Sequence, residues 1–529
     1  MSESFDKTLN LLKDLNLEDF SKHSFRGIEK ESLRVSNKTI STTDHPVSLG
    51  STLTNEFITT DFSEALLELI TNKKNTINSS LKQLEEILNF VYLNCEDTIW
   101  PSSVPCTISD EKDIRIAEYG SNNSGRLKNL YRKGLSERYG SMMQCVSGIH
   151  YNFSLDDDFF SKLKPENLSL QEFKNESYLS LVRNFRRNAW LLLYLFGASP
   201  IVPKSFISGR KNFLKDLNDE DCFLEFATCL RMSELGYMSN AQDNLYIAYN
   251  NLDEYVENLM FALTKKFPRY AEIGIEKDGD FIQINDSIIQ IENEYYSSIR
   301  PKRVIGSGER PINVLKEKGI EYVEVRCMDN DPFEPLSLSY ETSHFLEMYL
   351  MICFIDENKV TEKDEVIEIQ TNWQNVVKDG RNPDLKIIQN GKAIPVDVAA
   401  ENVFIKMEKF IDALSKSSSE MKLSLQNALD LQKAKLKDSN LTPSGKILKS
   451  IKENNSTWAE FNMELFEQHK NYFSKLHNEL AYLDEEAKSS IEKFNQIEQE
   501  EEIPFADFLK NYLNAVSYTH LRAHETGRN

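Results

Sequence analysis

The chain is short of positive charge. Its 529 residues contain 62 Lys and Arg against 83 Asp and Glu, which gives a net charge of −21. A large negative net charge disfavours nucleic acid and anionic membrane as main partners. A local basic group in such a chain is therefore expected to serve a specific purpose.

Cysteine is also scarce. There are seven cysteines, and no two of them have the Cys-x-x-Cys spacing of a structural zinc site. An odd number of scattered thiols is typical of a reducing compartment. The first residues lack a basic stretch followed by an apolar one, so no signal peptide is predicted. We therefore expect a cytoplasmic protein.

Long hydrophobic runs are missing. The two longest, 189–198 and 345–355, are about half of the ~20 residues that a membrane helix needs. They predict buried helices, and we expect no membrane association. A P-loop is missing as well: Gly120 and Gly125 have its spacing, but Arg126 and Leu127 follow where Lys and Ser or Thr are required.

An acidic strand is predicted at residues 27–35, GIEKESLRV, which have no helical period. In a strand Glu29 and Glu31 share one face about 7 Å apart, twice the ~3.3 Å rise per residue. Like charges at that distance repel unless a cation lies between them. Oxygen ligands without cysteine suit Mg²⁺ or Mn²⁺. On its own, however, such a run is more often a solvated face.

Two further segments place polar residues beside this strand. Residues 147–154 alternate, so that His150 and Asn152 lie on one face and apolar residues on the other. Residues 59–70 fit a helix capped by Asp61 and Glu64, or a strand whose polar face includes Glu68. The local pattern leaves both alternatives open.

Strands with the same alternation of polar and apolar residues are predicted at 289–296 and 321–326. The polar face of the first holds Glu292 and Glu294, and that of the second holds Glu324 and Arg326. Carboxylates gathered on one face need divalent cations, and Arg326 on that face can meet a phosphate bound to those cations. This predicts Mg–nucleotide phosphoryl transfer without a P-loop.

One polar and one apolar face is typical of an antiparallel sheet. Amphipathic helices that can cover the apolar face are predicted at 5–20, 76–94, 176–197, 253–265, 336–356, 399–414, 458–478 and 479–502. The fold class is therefore α+β. We predict a single catalytic unit over 1–515, with a sheet-containing core at about 20–335 and a mostly helical part at about 336–515. Residues 516–529, which have no Lys and two of the eight His, are interpreted as a non-native tail.

Seven motifs together resemble bacterial glutamate–cysteine ligases of the gammaproteobacterial type. The similarity runs in order over about residues 15–510 and is weakest in the C-terminal third. The motifs are GIEKESLRV (27–35), TTDFSEALLE (59–68), SGIHYNFS (147–154), LFGASP (195–200), QIENEYY (290–296), IRPKR (299–303) and EYVEVR (321–326).

The resemblance implies a glutamine-synthetase-like fold, whose curved antiparallel sheet forms an active-site funnel. It also implies the first step of glutathione biosynthesis. ATP phosphorylates the γ-carboxylate of glutamate, and the α-amine of cysteine attacks the acyl phosphate. On this resemblance we expect Mg²⁺, or Mn²⁺ in its place, with ATP as co-substrate. We also expect a monomer that is subject to feedback inhibition by glutathione.

The resemblance also implies roles for individual residues. Arg326 resembles the catalytic arginine that faces the phosphate, and Arg231 resembles the residue that meets a substrate carboxylate. The implied cysteine pocket is formed by Phe62, Tyr131, Tyr237 and Tyr296. The implied metal ligands are Glu29, Glu31, Asp61, Glu68, His150 and Glu324. We leave the basic stretch 300–303 out of the site as a solvated loop.

Two alternatives to this function are kept. One is another Mg/ATP-dependent carboxylate–amine ligase, in which ammonia or a different amino acid is the nucleophile. The other is a non-catalytic acidic scaffold whose carboxylates only solvate it. Without the family match, the three tyrosines would be interpreted as ordinary core residues.

Overall fold

The computed structural model describes residues 3–236, 241–242, 245–306, 309–414 and 419–526, with side chains as far as residue 515. Its strands are β1 (Ser24–Ser36), β2 (Thr39–Ile40), β3 (Ile58–Thr60), β4 (Leu66–Ile70), β5 (Thr98–Ile99), β6 (Ile149–Leu155), β7 (Ile201–Pro203), β8 (Lys215–Asp216), β9 (Asp221–Phe223), β10 (Glu276–Lys277), β11 (Asp280–Phe281), β12 (Ile299–Lys302), β13 (Tyr322–Met328), β14 (Lys386–Gln389) and β15 (Lys392–Pro395).

The helices dominate the second half of the chain. They are α1 (Glu3–Asp14), α2 (Ile77–Asn94), α3 (Asn123–Tyr139), α4 (Asp157–Leu163), α5 (Leu170–Phe196), α6 (Leu252–Thr264), α7 (Pro268–Ile273), α8 (Pro311–Lys318), α9 (Tyr340–Ile355), α10 (Lys363–Asp379), α11 (Val396–Ala413), α12 (Ser419–Lys437), α13 (Pro443–Asn454), α14 (Trp458–Phe473), α15 (Ala481–Ile497) and α16 (Phe505–Thr526). None in the described part of the chain combines the length and apolarity needed to cross a membrane.

The main sheet has the order β12–β13–β6–β1–β4–β3, and every neighbouring pair is antiparallel. The short strands β2 and β5 also pair with β1. Antiparallel pairing sets residues of distant segments directly opposite each other. Glu29 lies opposite His150, and Glu31 lies opposite Glu68. The α+β architecture and the helical C-terminal part are confirmed.

The second face of the sheet is apolar. Ile28, Tyr151 and Val325 are buried there, in one hydrophobic cluster with residues of α2, α5 and α9. Alternation along each strand thus separates a face packed against helices from a polar face. The polar face is left free to form a site.

A buried ion pair fastens α9 to the sheet. The Nε and Nη2 atoms of Arg26 donate to the Glu347 carboxylate at 2.6 and 2.9 Å. The Tyr151 hydroxyl donates to the same carboxylate at 2.6 Å. Both charged side chains are 1% exposed.

We expect Glu347→Gln to lower the free energy of unfolding by about 3–5 kcal/mol, because it leaves the Arg26 charge buried without a counter-charge. Urea titration followed by fluorescence measures the change. Glu453→Gln, which removes an exposed pair with Lys449, should cost less than about 1 kcal/mol. Equal losses in the two variants would contradict the anchoring role of Glu347.

The prediction of a strand at 289–296 is wrong. The segment contains a 3-10 turn at Glu292–Glu294. Glu292 accepts hydrogen bonds from Arg310, and Glu294 accepts one from Arg138 at 3.0 Å. These buried ion pairs hold both carboxylates away from the polar sheet face, so neither joins the acidic group.

Other predictions are confirmed or corrected locally. The strand interpretation of 59–70 is right for Glu68, which lies in β4, but residues 61–65 form a turn between β3 and β4 rather than part of one strand. Asn390 and Gly391 form the turn of the β14–β15 hairpin. The helix predicted at 253–265 is α6, and its N-cap is Asn251, whose side chain accepts the backbone N–H of Glu254. The last helix runs through Thr526, and the origin of residues 516–529 stays a prediction.

Candidate active site

A cavity of about 400 Å³ opens on the polar face of the sheet. All but one of the predicted site residues line it. Tyr237 is the exception, because it lies outside the described residues. The lining includes Glu29, Glu31, Asp61, Phe62, Glu68, Tyr131, His150, Arg231, Tyr296, Glu324 and Arg326.

Strands β1, β4, β6 and β13, with Asp61 directly after β3, bring the acidic residues and His150 together. They form a carboxylate cup, which we define as Glu29, Glu31, Asp61, Glu68 and Glu324 with His150. His150 Nδ1 lies 3.2 Å from Glu29 Oε2, and its Nε2 lies 3.7 Å from Glu31 Oε1. One ligand atom from each of Glu29, Glu68 and His150 lies within 4.8 Å of the others. Such a set of oxygen and imidazole donors can hold a divalent cation.

The charges of the cup are only partly balanced by the protein. Burial, together with Glu29, Asp61 and Glu31, raises the pKa of Glu68 well above its ordinary value. Burial and Asp61 likewise raise the pKa of Glu31, against the opposite effect of His150. Two glutamates that resist ionisation on this face mark a deficit of positive charge, and a bound cation would remove it.

Glu324 behaves differently. Burial alone would raise its pKa, but Lys302, Arg326 and His150 outweigh burial and hold the pKa below its ordinary value. Arg326 Nη1 donates to Glu324 Oε1 at 3.1 Å and lies 3.5 Å from His150 Nδ1. The guanidinium of Arg326 therefore borders the cup, where an anionic group bound to cations would also lie.

The structure adds three basic residues to the lining: Lys128, Arg132 and Lys302. Leaving out the stretch 300–303 was wrong for Lys302, whose Nζ lies 3.8 Å from Glu324 Oε2 because β12 pairs with β13. Lys128 and Arg132 lie within α3, four residues apart, with Tyr131 between them in the sequence. That helical spacing could have pointed to both from the sequence.

Arg231 also lines the cavity, and two hydrogen bonds hold it in place. Its Nε donates to Asp329 Oδ1 at 2.6 Å, and its Nη2 donates to the Met328 carbonyl at 2.9 Å. Burial lowers the pKa of Arg231, but Asp329, Cys229 and Glu31 together keep that pKa above its ordinary value. A Cβ at Gly148 would lie 2.9 Å from Arg231 Nη1, so glycine is required for the guanidinium to reach this place.

Aromatic side chains form a further part of the cavity lining, which we call the aromatic wall. Phe62 is buried, while Tyr131 and Tyr296 line the same cavity. Gln144 Nε2 donates to the Tyr296 hydroxyl at 3.4 Å. Burial and Glu294 raise the pKa of Tyr131 well above its ordinary value, so its hydroxyl stays protonated and can donate a hydrogen bond.

The sequence is similar to known ligases along nearly its whole length. The glutamate–cysteine ligase family model matches residues 9–376. A glutamate–cysteine ligase of Pseudomonas putida is 42% identical over 524 residues, which cover 98% of this chain and 99% of the relative. One from a Janthinobacterium species is 40% identical over 520 residues, which cover 97% of this chain and 98% of the relative.

Solved structures agree with these relatives. A glutamate–cysteine ligase of Francisella tularensis in complex with AMP superposes with a TM-score of 0.87 at 37% identity, covering 94% of this chain and 98% of that one. A bifunctional glutathione synthetase of Pasteurella multocida gives a TM-score of 0.71 at 25% identity, covering 92% of this chain and 58% of that one. The chain therefore belongs to the glutamate–cysteine ligase family.

Proposed function

We propose that the described cavity joins the γ-carboxylate of glutamate to the α-amine of cysteine, with ATP as the phosphoryl donor. The observation that carries the proposal is one cavity that is lined both by the carboxylate cup with Arg326 and by Arg231 with aromatic side chains. The carboxylate cup and Arg326 provide what metal-assisted phosphoryl transfer needs. Arg231 and the aromatic wall provide what recognition of an amino acid needs. The AMP bound to the Francisella relative supports a nucleotide site in this fold.

The cup fits Mg²⁺. Glu29, Glu68 and His150 would hold one ion, and Glu31, Asp61 and Glu324 offer the remaining oxygen ligands. When bound, Mg²⁺ neutralises the phosphate oxygens and favours in-line transfer of the γ-phosphoryl group. Asn152 Nδ2 donates to Glu29 Oε1 at 2.9 Å and orients that carboxylate.

In the first step an oxygen of the glutamate γ-carboxylate attacks the γ-phosphorus of ATP. The bond from that phosphorus to the β–γ bridging oxygen breaks, and ADP leaves. Arg326 and Lys302 donate hydrogen bonds to the phosphoryl oxygens as charge develops on them. Arg231 holds the α-carboxylate of glutamate, which keeps the γ-carboxylate directed at the nucleotide.

In the second step the cysteine amine attacks the γ-carbonyl carbon of the acyl phosphate. The carbon–oxygen bond to phosphate breaks, and the nitrogen loses a proton, which the departing phosphate can accept. Phe62, Tyr131 and Tyr296, with Tyr237 as a further proposed member, exclude water that would hydrolyse the acyl phosphate. Serine differs from cysteine by one soft atom, so discrimination between them is modest in an apolar slot.

The proposal is tested by phosphate release from ATP. Glutamate with cysteine should give rapid, Mg²⁺-dependent release and γ-glutamylcysteine, while glutamate with ammonia or another amino acid should give much less. Turnover with ammonia and none with cysteine would favour the alternative ligase. No amine-dependent release under any condition would favour the non-catalytic scaffold.

Three further properties belong to the same proposal. The seven cysteines are free thiols, which fits the reducing cytoplasm.

Glutathione contains the γ-glutamylcysteine unit, so it can bind at Arg231 and the aromatic wall and inhibit the enzyme. Sedimentation equilibrium should give the mass of a monomer, and a dimer mass would contradict this part of the proposal.

We expect Arg231→Lys to raise the KM for glutamate by about a hundredfold while kcat at saturation falls much less. Lysine keeps the charge but loses the planar fork that Asp329 and Met328 hold in place. The inhibition constant of glutathione should rise with the KM. Arg126→Lys, on the exposed side of α3, is the matched control and should leave both constants unchanged. An unaltered KM in Arg231→Lys would contradict the assigned role.

A further inference from the structure

The C-terminal helix contributes a side chain to the active-site cavity. Tyr512 of α16 lines the cavity together with residues of the sheet and α3. Phe505 and Leu509 of the same helix are buried in a small hydrophobic cluster with Leu130 and Ile284. This helix lies beyond residue 376, where the match to the family model ends. The family motifs therefore give no information about the contact between α16 and the cavity.

A buried ion pair supports the ring of Tyr512. The guanidinium of Arg310 lies over its ring, 4.2 Å from the centroid. Arg310 is itself held by Glu292, with Nε to Oε1 at 3.2 Å and Nη2 to Oε2 at 3.0 Å. Both members of this ion pair are buried. Glu292, which was expected in the carboxylate cup, thus supports an aromatic side chain at the cavity wall instead.

The segment before α16 is tied to the helix that carries the other half of this wall. The Glu498 carboxylate accepts the backbone N–H groups of Ser121 and Asn122, each at 3.0 Å. Glu502 accepts the N–H of Asn123 at 2.6 Å, where α3 begins. These bonds fix the approach to α16 against α3, which carries Lys128 and Tyr131 into the cavity. Two sets of contacts therefore position Tyr512: the Arg310–Glu292 pair at its ring, and the bonds from Glu498 and Glu502 to α3.

The wall around Tyr512 is apolar. Leu127, Ile284 and Ile291 line the cavity and also belong to, or pack against, the cluster formed with α16. Glutamate and cysteine are small zwitterions that we assign to Arg231 and the aromatic residues Phe62, Tyr131 and Tyr296, and neither has a flat ring that could cover this further surface. ATP has a flat purine ring, and bases stack on aromatic side chains. Asn293, also in the lining, can donate to and accept from a purine edge.

We propose that Tyr512 contacts the adenine ring of ATP and that α16 completes the nucleotide end of the cavity. The inference rests on the proposed function, since it takes ATP as the nucleotide used there. The adenine would pack against Tyr512, Leu127 and Ile291. Its phosphates would extend past Lys128 towards Arg326 and the carboxylate cup.

Three variants test the contact. Tyr512→Ala should raise the KM for ATP, and the Kd for Mg–ADP measured by calorimetry, about tenfold. The KM values for glutamate and cysteine should stay within about twofold. Tyr512→Phe keeps the ring and should behave like the unaltered protein. Asn511→Ala, exposed on the same helix, is the control and should change nothing.

A second ligand separates contact with the base from a general loosening of the site. Inorganic tripolyphosphate has no base, so its Kd should be the same in Tyr512→Ala and in the unaltered protein. If the alanine variant melts early, Tyr512→Leu retains apolar volume and should still weaken Mg–ADP binding several-fold. Equal losses for ADP and tripolyphosphate would overturn the adenine contact.

The failure of this inference differs from failure of the proposed function. Unchanged ATP and ADP constants in Tyr512→Ala, with an active unaltered protein, would overturn the inference alone. A raised KM for cysteine or glutamate without one for ATP would also overturn it. If the unaltered protein binds ADP but never releases phosphate with glutamate and cysteine, the proposed function fails, and the ADP titrations still decide the role of Tyr512.

Discussion

Exchanging Glu29 for glutamine should lower kcat/KM by about a thousandfold, a loss of about 4 kcal/mol of transition-state stabilisation. Glu29 lies opposite His150 in the sheet and shares a ligand-atom cluster with His150 and Glu68. Glutamine has the same shape and can still accept the hydrogen bond of Asn152, so the strand should keep its structure. What disappears is one negative charge and one cation ligand at the centre of the cup.

Two measurements separate this effect from a folding defect. The melting temperature of the Glu29→Gln variant should match that of the unaltered protein in the absence of ligand. Electron paramagnetic resonance should show weaker Mn²⁺ binding in the variant. Glu56→Gln, an exposed carboxylate close to β3, should keep full activity and full Mn²⁺ affinity. If Glu29→Gln retains turnover within about tenfold, the cup is not the metal site.

The strand period alone predicted much of this site. In β1 and β6 the alternation of polar and apolar residues correctly placed Glu29, Glu31 and His150 on one face. It could not give the register between strands that are far apart in the chain. The pairing of Glu31 with Glu68 is what resolved residues 59–70 as strand, because β4 is held between β1 and β3. A local capping signal had supported a helix equally well.

Where the period misled, tertiary charge pairs explain the error. Residues 290–296 have the alternation of a strand. However, Glu294 and Glu292 form buried ion pairs with Arg138 and Arg310, which come from other parts of the chain, and so neither carboxylate lies on the sheet face. Tyr512 was not predicted at all, since nothing in a helical stretch of the sequence shows which face will meet a cavity. Residue types and strand faces were therefore predictable, whereas partners from remote segments were not.

Replacing Arg326 with methionine should lower kcat by about a thousandfold or more, with a much smaller rise in the KM for ATP. The side chain borders the cup through Glu324 and His150, so its charge acts where negative charge develops on the transferred phosphoryl group. Arg326→Lys should recover only part of the rate, because an ammonium group cannot contact two phosphoryl oxygens with a planar fork. Positional isotope exchange in ATP labelled at the β–γ bridge, with glutamate but without cysteine, isolates the first step.

The same exchange experiment decides which step needs Arg326. Exchange should fall in parallel with kcat in Arg326→Met, since the acyl phosphate no longer forms at a useful rate. Arg303→Met is the matched control from the neighbouring basic stretch: Arg303 donates to the Gly319 carbonyl at 2.7 Å, and the described cavity lining does not include it. Its kcat should stay within about twofold. Normal exchange with slow amide formation in Arg326→Met would move the arginine to the second step, where its charge would assist the departure of phosphate.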